Sequence, residues 1–176
     1  MYSIFCPDYW ITDERTGKQY LVLDTDTLKH DDNQQVCHNL GGRLPEPRDE
    51  LENTFLDNLG TGTFYLGMVD TARGQWVWDS DRSPVAWRNF IFDEPNRNPG
   101  ENCAVMLRQM SSDRNGHRND GWGEELCGRT IPARDQSLSL VCERSHGSYT
   151  PSDLILYAAK KESVHAFKLN FQNKNT

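Results

Sequence analysis

Four cysteines, Cys37, Cys103, Cys127 and Cys142, constrain what this chain can fold into more than any other residues it carries. Together they can make two bridges, and four cysteines allow three connectivities. Their spacing does not choose among the three. Disulfides form in oxidising compartments, so the set points to an extracellular or secreted protein. Reduced thiols in the cytosol are the competing reading. A fifth cysteine, Cys6, leaves the count odd.

A chain of 176 residues fits one domain plus an extension better than two full domains. About 150 residues bury roughly 70% of their unfolded surface, which is enough for a proper core. The formal net charge of -7 argues against a general nucleic-acid binder and is compatible with a cation site. No apolar run approaches the roughly 20 residues that span a bilayer. The start, Met1-Tyr2-Ser3-Ile4-Phe5, lacks the basic and apolar regions of a signal peptide.

Hydrophobic spacing sets out the elements. Tyr20-Leu21-Val22-Leu23 reads as a short strand. Asp31 to Leu40 reads as a helix, stopped by Gly41-Gly42. Pro47-Arg48-Asp49-Glu50 opens a second helix in which Leu51, Phe55, Leu56 and Leu59 follow helical spacing, with Gly60-Thr61-Gly62 ending it. Strands are then expected at Phe64 to Met68, Gln75 to Trp78, Cys103 to Leu107 and Leu138 to Cys142, with a turn at Ala72-Arg73-Gly74. Between Trp87 and Leu138, apart from the Cys103 strand, the sequence reads as loop. Two helices followed by strands give an α+β class. Beyond Ser145, Asp153 to Lys161 reads as a helix, and Val164 to Phe171 alternates loosely.

Glu94-Pro95-Asn96, followed by Glu101-Asn102-Cys103, places two carboxylates and a side-chain amide in one short loop. Hard cations such as calcium take six to eight oxygen ligands of this kind. Trp76-Val77-Trp78 lies upstream, Trp122 downstream, and the cysteines frame the whole. This constellation resembles the C-type lectin-like domain, and its Glu-Pro-Asn looks like that of the mannose-binding members. The resemblance runs from Cys6 to Arg144. In that family Gly41-Gly42-Arg43-Leu44 follows the first helix, and Tyr65-Leu66-Gly67-Met68 is the central core strand. It implies two helices with small antiparallel sheets and a long ligand-binding loop region. The domain is expected at 1–144 and an extension of unassigned role at 145–176.

The resemblance also implies the pairing Cys37 to Cys142 and Cys103 to Cys127. It implies a calcium ion held by Glu94, Asn96 and Glu101. The family then places Asn-Asp after a tryptophan, where this chain has Gly123-Glu124 after Trp122. Glu124, or Asp120 of the upstream Asn119-Asp120 pair, is expected to complete the site. The same Glu94, Asn96, Glu101 and Glu124 would meet the sugar. In the family the Glu-Pro-Asn order goes with mannose, fucose or N-acetylglucosamine, and Gln-Pro-Asp with galactose. Asp70 matches one auxiliary acidic position, but Arg73 and Arg97 stand where further acids would be, so one metal at most is expected. The alternative is a metal-free domain of the same fold that binds a protein partner through its long loops.

Other features carry plainer readings. Trp76, Trp78 and Trp87 read as packing residues, with sugar stacking as the alternative. His30, His38, His117, His146 and His165 carry no zinc-ligand spacing, and Arg108 to Arg118 reads as a solvated loop. No Gly-x-Ser-x-Gly elbow or other catalytic motif is present, so a binding protein is expected and not an enzyme. Cys6-Pro7-Asp8-Tyr9-Trp10 resembles the opening of the family's longer form. Gln19 stands where a partner for Cys6 would be, which leaves Cys6 as a free or blocked thiol or, in the alternative, as the bridge of a homodimer. Glycans or glycoproteins are the expected partners.

Overall fold

The computed structural model describes residues 10–25, 27–59, 61–72, 74–107, 121–128, 131–132 and 138–145. In chain order the elements are β1 (Ile11–Thr12), β2 (Lys18–Thr25), β3 (Thr27–Leu28), α1 (His30–Asn39) and α2 (Glu50–Asn58). Then follow β4 (Phe64–Asp70), β5 (Trp76–Trp78), β6 (Cys103–Leu107), β7 (Gly121–Glu125), β8 (Ile131–Pro132) and β9 (Leu138–Ser145). Cys6, Gly60, Arg73, Arg108 to Arg118, Asn119-Asp120 and the expected elements at Asp153 to Lys161 and Val164 to Phe171 lie outside the described residues, as do His117, His146 and His165.

The α+β class holds. One sheet has the order β1-β2-β9, a second pairs β3 with β8, and a third runs β5-β4-β6-β7, all antiparallel. The β2–β9 ladder joins the early and late parts of the domain, from Lys18 opposite Ser145 to Thr25 opposite Leu138. Strand β4 is buried on both faces. Phe64, Leu66 and Met68 pack into one cluster with Trp76, Trp78 and Trp122, while Tyr65 packs into the other with Cys37, Leu44 and Val105.

Both bridges implied by the resemblance are present. Cys37–Cys142 ties α1 to β9 across a sequence separation of 105, and Cys103–Cys127 ties β6 to the end of β7. In the chain-entropy account the longer bridge removes about 4–5 kcal/mol of unfolded-state freedom.

Two sequence expectations need correction. Helix α2 starts at Glu50, with the Asp49 carboxylate accepting the Glu52 N–H at 2.9 Å as its cap. Its buried face keeps Leu56, with Phe55 and Leu59 packed against the core, but Leu51 is 55% exposed, and Glu52 and Asn53 face inward beside Leu56. The polar pair goes inside because each has a partner: Lys18 Nζ stands 2.9 Å from Glu52, and Asn53 accepts from the Trp122 indole at 2.9 Å. The second correction is β7, which lies in sequence read as loop. Gly121 and Gly123 weaken its strand signal, but they allow close approach. A Cβ on Gly121 would sit 2.8 Å from the Asn89 carbonyl oxygen.

Trp122 joins these parts. Its N–H donates to Asn89 O at 2.8 Å and its carbonyl accepts from Ile91 N at 3.0 Å. Its ring meets Trp78, Trp87 and Phe90 edge-on, with centroids 5.3–6.4 Å apart. The segment that leads into Glu94 is therefore stitched to the sheet by backbone and ring together.

At the start of α1, His30 is buried with its Nδ1 3.2 Å from Asp31 and its Nε2 3.4 Å from Asp79. Burial alone would lower the imidazole pKa, but the two carboxylates outweigh it and the net shift is upward from 6.5. A histidine raised in this way stabilises the fold below its unfolded pKa and loses that contribution as pH rises through the folded one. The melting temperature is expected to fall as pH rises above about 6.5, and His30→Gln should flatten that slope. Melts of both proteins across this range decide the matter, and an unchanged slope in the variant would refute the assignment.

Candidate functional site

The expected ligand loop begins with a tight turn, Ile91–Glu94, closed by the Glu94 N–H on Ile91 O at 3.1 Å. Asp93 at its third position has φ 66°, and Arg97 further on has φ 63°. The Glu94–Pro95 peptide is cis. The loop then folds on its own side chains. Asn96 Nδ2 donates to Glu94 Oε1 at 2.9 Å, and Asn96 Oδ1 accepts from Asn98 N at 2.9 Å. Asn98 Nδ2 reaches Glu101 Oε2 at 3.0 Å.

Strand β7 supplies the opposite wall. The contact is reciprocal: Glu94 Oε2 accepts the Glu124 N–H at 3.2 Å, and Glu124 Oε2 accepts the Arg97 N–H at 2.6 Å. Hydrogen bonds thus run from Glu101 through Asn98 and Asn96 to Glu94, and from Glu94 to the Glu124 backbone. Asp120 lies outside the described residues. Glu124 is the focus. It is 9% exposed, and its Oε1 is buried with no hydrogen-bond partner. Burial raises its pKa; the Arg97 N–H opposes this, and repulsion from Glu94, Glu101 and Asp70 adds to it.

The donor set suits a hard cation, being carboxylate and amide oxygen throughout. An orphaned buried oxygen beside three like charges is the environment a cation would relieve. Among the described residues, however, no three acidic, histidine or cysteine side chains are grouped closely enough to hold a metal ion. The carboxylates instead bind backbone N–H groups and the Asn96 and Asn98 amides. Calcium at this site would therefore require side-chain rotation of the glutamates about their present anchors.

Two details were not visible in the sequence. Gly123 not only lacks an amide; a Cβ there would lie 2.9 Å from Leu107 Cδ1, so Leu107 fills that space. The register that pairs Val105 with Gly123 and Leu107 with Gly121 brings this about. Arg97, read only as a misplaced cation, gives its backbone N–H to Glu124, and its guanidinium lies over Gly74, 3.6 Å from where a Cβ would be. Asp70 is engaged elsewhere: its carboxylate accepts from the N–H groups of Ala72, Gly74 and Gln75 and so closes the β4–β5 turn. Trp76 and Trp78 are core, and Trp87 packs against Trp122, as expected. No described helix is long and apolar enough to cross a membrane.

Comparison with known proteins agrees with this architecture. The family model for the Lectin C-type domain matches residues 26–144. The chain is 30% identical over 132 residues to C-type mannose receptor 2 of Mus musculus, covering 72% of this chain but only 8% of the receptor. Among solved structures, the mouse scavenger receptor C-type lectin carbohydrate-recognition domain superposes with a TM-score of 0.61 at 20% identity, over 82% of this chain and all 100% of that one. A calcium-independent type II antifreeze protein superposes with a TM-score of 0.60 at 19% identity, over 82% of this chain and 97% of that one. At those identities the two structures show a shared fold only. The chain belongs to the Lectin C-type domain family, a family of binding domains and not of enzymes.

Proposed function

We propose that this domain binds carbohydrate through one calcium ion, with the mannose, fucose and N-acetylglucosamine preference of the Glu-Pro-Asn type. The observation that carries the reading is Glu124 Oε1, buried and unpartnered beside Glu94, Glu101 and Asp70. Glu94, Asn96, Glu101 and Glu124 would hold the ion, with Asp120 as a further ligand. Calcium, when bound, offers coordination positions to two vicinal hydroxyls. The chain's part is to orient them: a carboxylate accepts from a hydroxyl and an amide Nδ2 donates to one. The mannose receptor relative supports a glycan as ligand.

Secretion follows from the same reading, because two disulfides require an oxidising compartment. We take the lectin domain as 1–144, with 145–176 as an extension of unassigned role. A disulfide-linked homodimer through Cys6 would raise avidity on glycoproteins without any new contact.

A metal-free domain that binds a protein partner is the second reading, and one observation favours it. Leu107 fills the space beside Gly123.

Calorimetric titration separates the two. Calcium is expected to bind with a dissociation constant of order 10⁻⁴–10⁻³ M, and methyl α-mannoside to bind only with calcium present. No heat at millimolar calcium would sink the first reading. Glu94→Gln with Asn96→Asp is expected to move preference from mannose to galactose, read by competition. Gly123→Asn is expected to gain calcium affinity only when Leu107→Ala is made with it. The pair should show a coupling of about 0.5–3 kcal/mol in a double-mutant cycle of stability.

A further inference from the structure

Arg15, Arg43, Arg48 and Arg82 each stand 2.8–3.7 Å from a carboxylate. Arg88 and Arg97 differ. Arg88 directs its donors at carbonyl oxygens, Nε at Val85 O at 3.2 Å and Nη2 at Gly74 O at 3.5 Å. The Arg97 guanidinium lies against the same glycine, its Nε and Nη2 each 3.6 Å from where a Gly74 Cβ would be. Neither arginine forms an ion pair among the described residues, and both are exposed. Two guanidinium groups thus meet at one residue in a chain of net charge -7. Asp70, the acid bound to the Gly74 N–H, is held in the turn by the N–H groups of Ala72, Gly74 and Gln75.

This pair is tied to the candidate site through the backbone. Arg97 takes a left-handed φ of 63°, and its N–H donates to Glu124 Oε2 at 2.6 Å. Its side chain therefore runs from the Glu124 wall to the β4–β5 turn. Arg88 precedes Asn89, whose carbonyl accepts the Trp122 N–H at 2.8 Å. The two cations lie one arginine side chain away from the Glu124 carboxylate. A guanidinium is a planar fork of N–H donors that matches the oxygens of a carboxylate or a tetrahedral oxyanion. Like charges brought together repel, and an anion between them relieves that repulsion. It would also offset their repulsion of a calcium ion held at Glu124, which a neutral sugar leaves in place.

We propose that Arg88 and Arg97 form an anion subsite beside the Glu94, Asn96 and Glu124 site, so that the preferred ligand is an acidic glycan. The proposal rests on the carbohydrate reading above and narrows it to a ligand class. The shared chemistry is an oxyanion carried by the held sugar or by the sugar joined to it. A sulfate ester and the carboxylate of a uronic acid are its two sources.

The test is calorimetry in calcium at low salt on the full chain, Arg88→Gln and Arg97→Gln. The probes are methyl α-mannoside, its 6-sulfate, and a methyl mannoside carrying glucuronic acid. At least one anionic probe should bind the wild type about 3–10-fold more tightly than methyl α-mannoside, the gain that a pair of exposed charge contacts supplies. Either substitution should bring that ratio close to one, since each keeps the backbone N–H and removes only the charge. Sodium chloride at about 1 M should do the same, because it screens charges beyond about 3 Å. A gain with the sulfate alone assigns the subsite to sulfate esters, and a gain with the glucuronide alone assigns it to carboxylates. A gain that survives both substitutions would place the anion elsewhere and overturn the proposal. Equal weakening of all three probes by the substitutions would mean that the arginines only hold the turn and the loop, and would also overturn it. If methyl α-mannoside binds but neither anionic probe gains, only the anion subsite falls. If methyl α-mannoside does not bind in calcium, the carbohydrate reading falls and takes this proposal with it.

Discussion

The structure depends on the way Trp122 is held. Its indole donates to Asn53 on α2, its backbone binds Asn89 and Ile91, and its ring meets three aromatics. A buried indole N–H without an acceptor is costly, so Asn53 and Trp122 constrain one another. Because β7 also carries Glu124, fixing Trp122 fixes the wall of the candidate site. The loop bearing Glu94 is fixed by the same residue through Ile91. Core packing and ligand geometry thus share one support, and Gly121 allows the backbones to approach closely enough for it.

Much of this was legible in the chain. Helices α1 and α2 and strands β2, β4, β5, β6 and β9 follow from periodicity and from the glycines after α1, because local burial sets those patterns. The cysteine pairing followed from family resemblance, not from spacing. Strand β7 was not legible: two glycines and two glutamates in five residues look like loop until the neighbours that need those glycines are known. Leu51 misled for a related reason. Helical spacing identifies a stripe whose Phe55, Leu56 and Leu59 do pack to the core, but that Glu52 and Asn53 face inward in place of Leu51 depends on Lys18 and Trp122, which are distant in sequence.

In the candidate site, residue types were legible and their partners were not. Glu94, Asn96, Glu101 and Glu124 could be named from the motif and its matching positions. That Glu94 accepts the Glu124 N–H while Glu124 accepts the Arg97 N–H depends on how the loop crosses β7. That Leu107 fills the side-chain space at Gly123 depends on the β6–β7 register. A one-residue slip would reverse every side chain in that strand, so no local pattern carries the information.

Burial, with repulsion from Glu94, Glu101 and Asp70 added to it, raises the Glu124 pKa, which means that folding works against its ionised form. The Cys37–Cys142 bridge constrains the unfolded chain, and Cys103–Cys127 holds β6 and the end of β7 together beside the crowded carboxylates. A domain stabilised in this way tolerates a locally unfavourable cluster of like charge, and such clusters commonly mark function. Leu107 fills the space that a side chain at Gly123 would need, and because Gly123 and Glu124 are neighbours in a strand and point to opposite faces, it does so without crowding the Glu124 carboxylate itself.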